Sequence, residues 1–254
     1  MRRALLGAAA AAAMIAPGLA SANTSGSIGF MVEANDFDYS SNGEFVGYNL
    51  GGAIVHNMSN GLAVQLDGRT TLQDWDCCNT YYSHGYAAAH LSTDMGGWDL
   101  GGFLGMVNYY GEGGILIGAE GRTMFGNFSL DGSIAHTDFA DNDYNGTAYR
   151  AGGAFFFSPN LALTGGASFT DISSGQDYEV TELSLGGAYQ FANNVEVFGG
   201  YTNTDAERSI STDYEGDTFQ LGVRLNLNGG TLQENAADGA WTSAEHVSDT
   251  WNRW

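Results

Sequence analysis

The sequence predicts an all-β protein, a transmembrane up-and-down antiparallel β-barrel of about 12 strands, with roughly 10 to 14 compatible. Three observations carry this expectation: a hairpin that occurs twice, period-2 hydropathy along most of the chain, and an export segment followed by no long apolar run. The hairpin Gly152–Gly166 recurs as Gly186–Gly200, offset by 34 residues without a gap. Each copy runs into an aromatic, turns on Asn160 or Asn194, and returns with apolar residues at alternate positions. Paired glycines sit at matched depths on both arms, so the sheet grows by adding one unit.

Residues 1–22 have the form of a signal peptide. Arg2 and Arg3 precede the small apolar run Ala4–Ile15, Pro17 breaks it, and Ala20-Ser21-Ala22 is a small-residue cleavage site. Asn23 would then begin a mature chain of 232 residues, a size that suits one β domain. Asn23 is not Cys, so no lipid anchor is signalled there.

The whole chain has formal charge −21, and removing Arg2 and Arg3 takes it to −23. Such a surface excludes nucleic acid as a partner, since phosphate binding needs a basic face. Glycine contributes 38 of 254 residues, about twice its usual share. A closed barrel can still enter lipid without a helical span, because closure satisfies every backbone group.

In order, Ser25–Phe37 opens the sheet with Ile28, Phe30, Val32 and Ala34 on one face. Glu44–Val55 returns with Val46, Tyr48, Leu50 and Ile54. Leu62, Val64 and Leu66 begin the third strand. A loop at Gln73–Thr80 carries Cys77 and Cys78, and Tyr81–Leu91 is a fourth strand of ambiguous phase. Trp98, Leu100, Leu104 and Met106 oppose Asp99, Gly101, Phe103 and Gly105. Ile115 and Ile117 oppose Gly118, Glu120 and Arg122, and Phe128, Leu130 and Ile134 oppose Ser129, Asp131 and Ser133. Acidic loops are expected at Ala140–Gly146, Asp171–Asp177 and Thr204–Glu215, around the two repeated hairpins. In the last strand Phe219, Leu221, Val223, Leu225 and Leu227 oppose Thr218, Gln220, Gly222, Arg224 and Asn226. Compact turns at one end alternate with longer loops at the other.

The two faces differ in kind. One is Val, Ile, Leu and aromatic; the other is Gly, Ala, Ser, Thr, Asn, Gln and charge. About eight strands already suffice for an interior that side chains fill. A wider barrel therefore turns its apolar face to lipid and its small and polar face inward. That places Glu33, Asp67, Arg69, Glu120, Arg122, Asp131, Arg150, Glu182, Glu196 and Arg224 inside, as expected pore-lining groups. Trp98, Phe128, Phe157 and Phe191 flank the short turns, where an interfacial girdle belongs.

On the signal peptide, the hairpins ending Ser158-Pro159-Asn160 and Ala192-Asn193-Asn194, and the final strand, the chain resembles bacterial outer-membrane porins and related small outer-membrane barrels over Asn23 to about Leu227. The resemblance implies that Gln220, Gly222, Leu225 and Leu227 form the signal read by the barrel-insertion machinery. It further implies a multi-pass barrel in a Gram-negative outer membrane, in contact with lipid and lipopolysaccharide, and compatible with a homo-oligomer. The parts expected are a signal peptide at 1–22, a barrel at 23–228 and an acidic periplasmic tail at 229–254. Family members commonly end on the aromatic of their last strand. Here Asn228–Trp254 continues, as a periplasmic extension, a plug or a disordered tail.

The expected function is a porin-like channel for passive diffusion of ions and small polar solutes, with opposed inner charges setting ion preference. A non-conducting structural or adhesive barrel is the alternative. No enzyme is expected: His84, His90 and His136 show no Ser-His-Asp spacing. No cofactor or metal is expected either. Asp141–Gly146 matches half of a calcium loop, but its twelfth position is Gly152. A bridge between adjacent Cys77 and Cys78 would be strained.

Overall fold

A computed structural model describes residues 23–38, 44–75, 80–109, 111–140, 144–173, 177–191, 194–208, 213–227 and 230–252. The expected signal peptide, Cys77 and Cys78, and Asp141, Asn142 and Asp143 lie outside the described residues.

Alternating apolar and polar residues form strands because successive side chains point to opposite faces. Twelve do so: β1 (Thr24–Phe37), β2 (Phe45–Asn57), β3 (Leu62–Trp75), β4 (Thr80–Asp94), β5 (Trp98–Tyr109), β6 (Glu112–Phe125), β7 (Phe128–Phe139), β8 (Asn145–Ser158), β9 (Leu161–Ser173), β10 (Asp177–Gln190), β11 (Val195–Arg208) and β12 (Tyr214–Leu227). Each pairs antiparallel with its sequence neighbours, and β1 closes on β12 from Gly26↔Leu227 to Phe37↔Gly216. The sheet is a closed up-and-down barrel, so no edge is left unpaired.

The repeated hairpins are β8–β9 and β10–β11. Their glycine pairs meet across the strands: Gly152↔Gly166 and Gly153↔Gly165 in one, Gly186↔Gly200 and Gly187↔Gly199 in the other. Tight connections gather at the end that holds Thr24 and Leu227. One is Gly126-Asn127, where Gly126 takes φ +59°, as a two-residue hairpin turn needs.

Exposure settles the faces. Leu104, Met106, Ile115 and Leu221 are 58 to 68 % exposed, and Trp98, Phe128, Phe157 and Phe191 stand outside by the tight turns. An apolar face of this extent, wrapped round a closed barrel, suits hydrocarbon. Strand β4 takes the phase the sequence left open. His84, Tyr86, Ala88, His90 and Ser92 point inward, while Tyr81 and Leu91 point out.

Two expectations need correcting. The strands run further toward the long-loop end than their polarity suggests: β11 reaches Arg208 and β12 starts at Tyr214, inside the loop expected at Thr204–Glu215. These extensions carry exposed acids on the outer face, among them Asp171, Glu179, Asp205 and Glu207. Acids there are affordable where strands rise above hydrocarbon, since their cost falls toward the interface.

The interior is also not uniformly small and polar. In the long-loop third, Phe37, Phe45, Val107, Leu116, Phe139, Ile172 and Val180 point inward and are buried. The Phe37 and Phe139 rings lie over cross-strand glycines. A Cβ on Gly216 would collide with the Phe37 ring, and one on Gly114 would sit 2.8 Å from Phe139 Cδ1. Gly216→Ala should therefore lower stability by about 1–3 kcal/mol through overpacking, read as a lower melting temperature in detergent.

Candidate functional site: a lumen shared with the C-terminal segment

Beyond β12 the chain turns back into the barrel as two short helices, α1 (Leu232–Asp238) and α2 (Ser243–Asn252). Thr231 caps α1: the Glu234 backbone N–H donates to Thr231 Oγ1 and the Thr231 N–H donates to Glu234 Oε2 at 2.7 Å. The Gln233 N–H reaches the Pro159 carbonyl at 3.0 Å, and Gln190 Nε2 donates to the Gly230 carbonyl at 2.7 Å, so the segment enters from the tight-turn end.

Between the tight-turn end and mid-barrel it meets a set of strand side chains. The Trp241 N–H donates to Gln65 Oε1 at 2.7 Å, and Gln65 Nε2 donates to the Trp241 carbonyl at 2.9 Å. The Gln65 amide thus pairs with a peptide unit as a neighbouring strand would. Arg122 donates to the Gly239 carbonyl at 2.7 Å and stacks on the Trp241 ring at 4.4 Å, while its Nε holds Asp99 Oδ2 at 2.9 Å. Arg69, buried in the wall, pairs with Glu245 at 3.0 Å and with Asp249. These two acids lie one helical turn apart on α2, so one guanidinium fork serves both.

Further along, Ala244, Val247 and Trp251 form the opposite stripe of α2. They join Tyr86, Phe103, Leu116, Phe139, Ile172 and Val180 in one buried cluster. Trp251 ends near the long-loop end, 4.9 Å from Phe139 and 6.1 Å from Tyr109. Residues 230–252 therefore cross the lumen from one end toward the other.

A cavity of about 470 Å³ remains beside the helices. Its lining comes mainly from the tight-turn and middle parts of the strands and from the helices, and the buried apolar residues of the long-loop third are not part of it. Six carboxylates (Asp67, Asp131, Glu182, Glu196, Glu245, Asp249) and four guanidinium groups (Arg69, Arg122, Arg150, Arg224) line it among the described residues. Arg150 pairs with Asp131, and Arg224 pairs with Glu196 at 3.1 Å while covering the Phe198 ring. Glu182 accepts from Ser168 at 2.9 Å and from Thr250 of α2 at 3.0 Å.

The structure thus brings eight of the ten inward charges named from the sequence to one cavity. Glu33 and Glu120 point inward but lie off it. Glu33 is buried over Gly47, and Glu120 Oε1 faces His90 Nδ1 at 2.8 Å. His90 Nε2 in turn lies 2.9 Å from Asp67 Oδ1, off the line of a good hydrogen bond, so the ring spans carboxylates of two different strands. Those carboxylates address opposite nitrogens of one imidazole, which a single metal ion cannot bridge. Among the described residues no His, Cys, Asp and Glu cluster is arranged to hold a metal ion. His84 is buried against Gln73 at 2.8 Å, and His136 is exposed on the outer face. In the last strand, Gln220 lines the cavity, Gly222 lies under the Phe198 ring, and Leu225 points outward.

Sequence reasoning missed Gln65, His90 and the helical nature of the tail. The signals were present for the tail: Thr231-x-x-Glu234 is a capping box, and Ala244, Val247 and Trp251 recur at helical spacing.

Cavity space depends on inward glycines. A Cβ on Gly29 meets nothing closer than 3.4 Å. Gly29→Leu is therefore expected to fold normally and to project into the cavity. Combined with substitutions that release the helices from Arg69, it should lower solute flux in a liposome-swelling assay, while on its own it should leave the melting temperature near wild type.

An apolar-outside closed barrel with a charged, partly filled lumen has the architecture of a bacterial outer-membrane β-barrel. No protein-family model matches the sequence, and no curated protein does. Solved structures do match in fold. An outer-membrane channel from Pseudomonas putida F1 is similar with TM-score 0.59 and 11 % identity, over 80 % of this chain and 94 % of that one. The CymD monoaromatic hydrocarbon channel is similar with TM-score 0.56 and 8 % identity, over 85 % and 92 %. At these identities the likeness establishes the fold.

Proposed function

We propose that the protein is an outer-membrane channel whose lumen is closed, at rest, by its own C-terminal segment. The observation that carries this reading is the passage of residues 230–252 through the barrel, held by Gln65 and Arg122 toward the tight-turn end and by Arg69 at mid-height. Permanent sealing would need no charged cavity beside the helices. A polar cavity lined by six carboxylates and four arginines instead suits passive diffusion of ions and small polar solutes, with a mild cation preference, once the helices shift. Both similar structures bear the name of channels.

In this reading residues 1–22 are the export signal, 23–228 the barrel, and 230–252, within the segment 229–254, a lumenal plug rather than a free periplasmic tail. The barrel sits in a Gram-negative outer membrane among lipid and lipopolysaccharide, inserted through the Gln220, Gly222, Leu225 and Leu227 signal, and as a homo-oligomer or alone. The packed long-loop third favours one rival, a non-conducting structural or adhesive barrel.

Liposome swelling separates the two. Glu245→Gln/Asp249→Asn in the full chain should speed swelling with small sugars and amino acids well above wild type. If neither protein exceeds empty liposomes, the structural reading is the better one.

A further inference from the structure

We propose that the slot now holding the Trp251 indole is a binding site for a small planar aromatic molecule, which enters in place of the side chain and releases α2. This rests on the reading of the C-terminal segment as a plug.

A membrane barrel gains its apolar burial from lipid on the outside, and an aqueous lumen is polar. Apolar side chains on the inner wall are therefore not demanded by the fold. Here Val107, Leu116, Phe139, Ile172 and Val180 are inward and 0 to 3 % exposed. The helix needs them only for its apolar stripe, since its polar contacts already dock it to Arg69.

The slot has a shape. The Trp251 ring meets Phe139 edge to face at 73° and 4.9 Å, and tilts on Tyr109 at 59° and 6.1 Å. Its other boundary is bare backbone: a Cβ on Gly146 would lie 2.9 Å from Trp251 Cζ2. A gap bounded by two aromatic rings on one side and a glycine on the other suits a flat ring. Tyr144 and Tyr178 pack at the margin of the same cluster. Trp251 shares the last turn of α2 with Asp249, so unwinding that turn withdraws the indole and loosens one of the two Arg69 pairs together.

Energetics set the scale. The tethered indole competes at an effective concentration in roughly the millimolar range, so free indole should act at about that level. Removing the competitor should tighten binding about tenfold, if the displaced state is populated at about 10 %.

The test uses full-length protein in planar bilayers with indole as the probe and cyclohexylmethanol as a non-planar control. Indole should raise the open fraction of wild type saturably, the control should not, and Trp251→Ala should be open without indole and shift the indole binding curve, read by calorimetry, about tenfold lower. Should Trp251→Ala fail to fold, Trp251→Phe, one ring smaller, should shift it in the same direction. Binding of indole to Trp251→Ala alone, with wild-type currents indifferent to indole, would overturn the proposal and leave the slot as packing. If Glu245→Gln/Asp249→Asn opens while indole does nothing, the plug stands and the slot proposal falls. If that double variant also stays closed, both fall.

Discussion

Arg69→Ala is expected to open the lumen. Arg69 is the only cation that Glu245 and Asp249 meet among the described pairs, and it is buried in the β3 wall. Its removal leaves two carboxylates at i and i+4 on one helix with no counter-charge, which repel each other. Both carboxylates are only partly buried, so leaving them without a counter-charge costs about 1–2 kcal/mol. The cheapest relief is for α2 to leave the wall and hydrate. Two readouts should move together: a lower melting temperature in detergent and more frequent, longer channel openings. Arg69→Lys should fall between wild type and alanine, because one ammonium cannot present a planar fork to two carboxylates. A variant that loses stability while the lumen stays closed would show that Arg69 only packs.

Leu116→Asp is the second large effect. Leu116 is fully buried on β6, inside the cluster formed by the wall and the apolar stripe of α2. The substitution removes a packed side chain and places a carboxyl among Phe139, Val180 and Trp251 without a partner. The combined cost should be about 4 kcal/mol or more. The strand itself should persist, since its hydrogen bonds to β5 and β7 and its lipid-facing Ile115 and Ile117 are untouched. Loss should therefore appear first in near-ultraviolet circular dichroism of the tryptophans, with the far-ultraviolet β signal retained. Concurrent loss of both would mean that the barrel cannot form without its inner cluster.

Much of the fold was legible because a membrane barrel writes its parity into every strand. Phe219, Leu221, Val223 and Leu225 alternating with Gln220, Gly222 and Arg224 admit one assignment of faces, and the repeated glycine pairs give a register. Three features resisted for physical reasons. Strand β4 carries tyrosine at 81, 82 and 86 and alanine at 87, 88 and 89, so its two faces look alike until neighbours fix them. The strand ends above the hydrocarbon are polar on both sides, and alternation fades there although pairing continues. The apolar inner third shares residue types with the outer face, so Val107, Leu116 and Val180 read as ordinary strand residues; only a helix from the far end of the chain makes them a core.

The candidate site divided along the same line. Parity alone supplied the inward charges expected on the clear strands. The pairing of Arg69 with Glu245 and Asp249 spans more than 170 residues of sequence, and no local pattern announces it.

Single-channel recording of the refolded full-length protein, under a salt gradient and beside Glu245→Gln/Asp249→Asn, tests the plugged-channel claim most directly. Wild type should give rare, brief steps, and the double variant long-lived steps with a reversal potential on the cation side. Silence from both, with folding verified by circular dichroism, would contradict a channel closed by its own C-terminus.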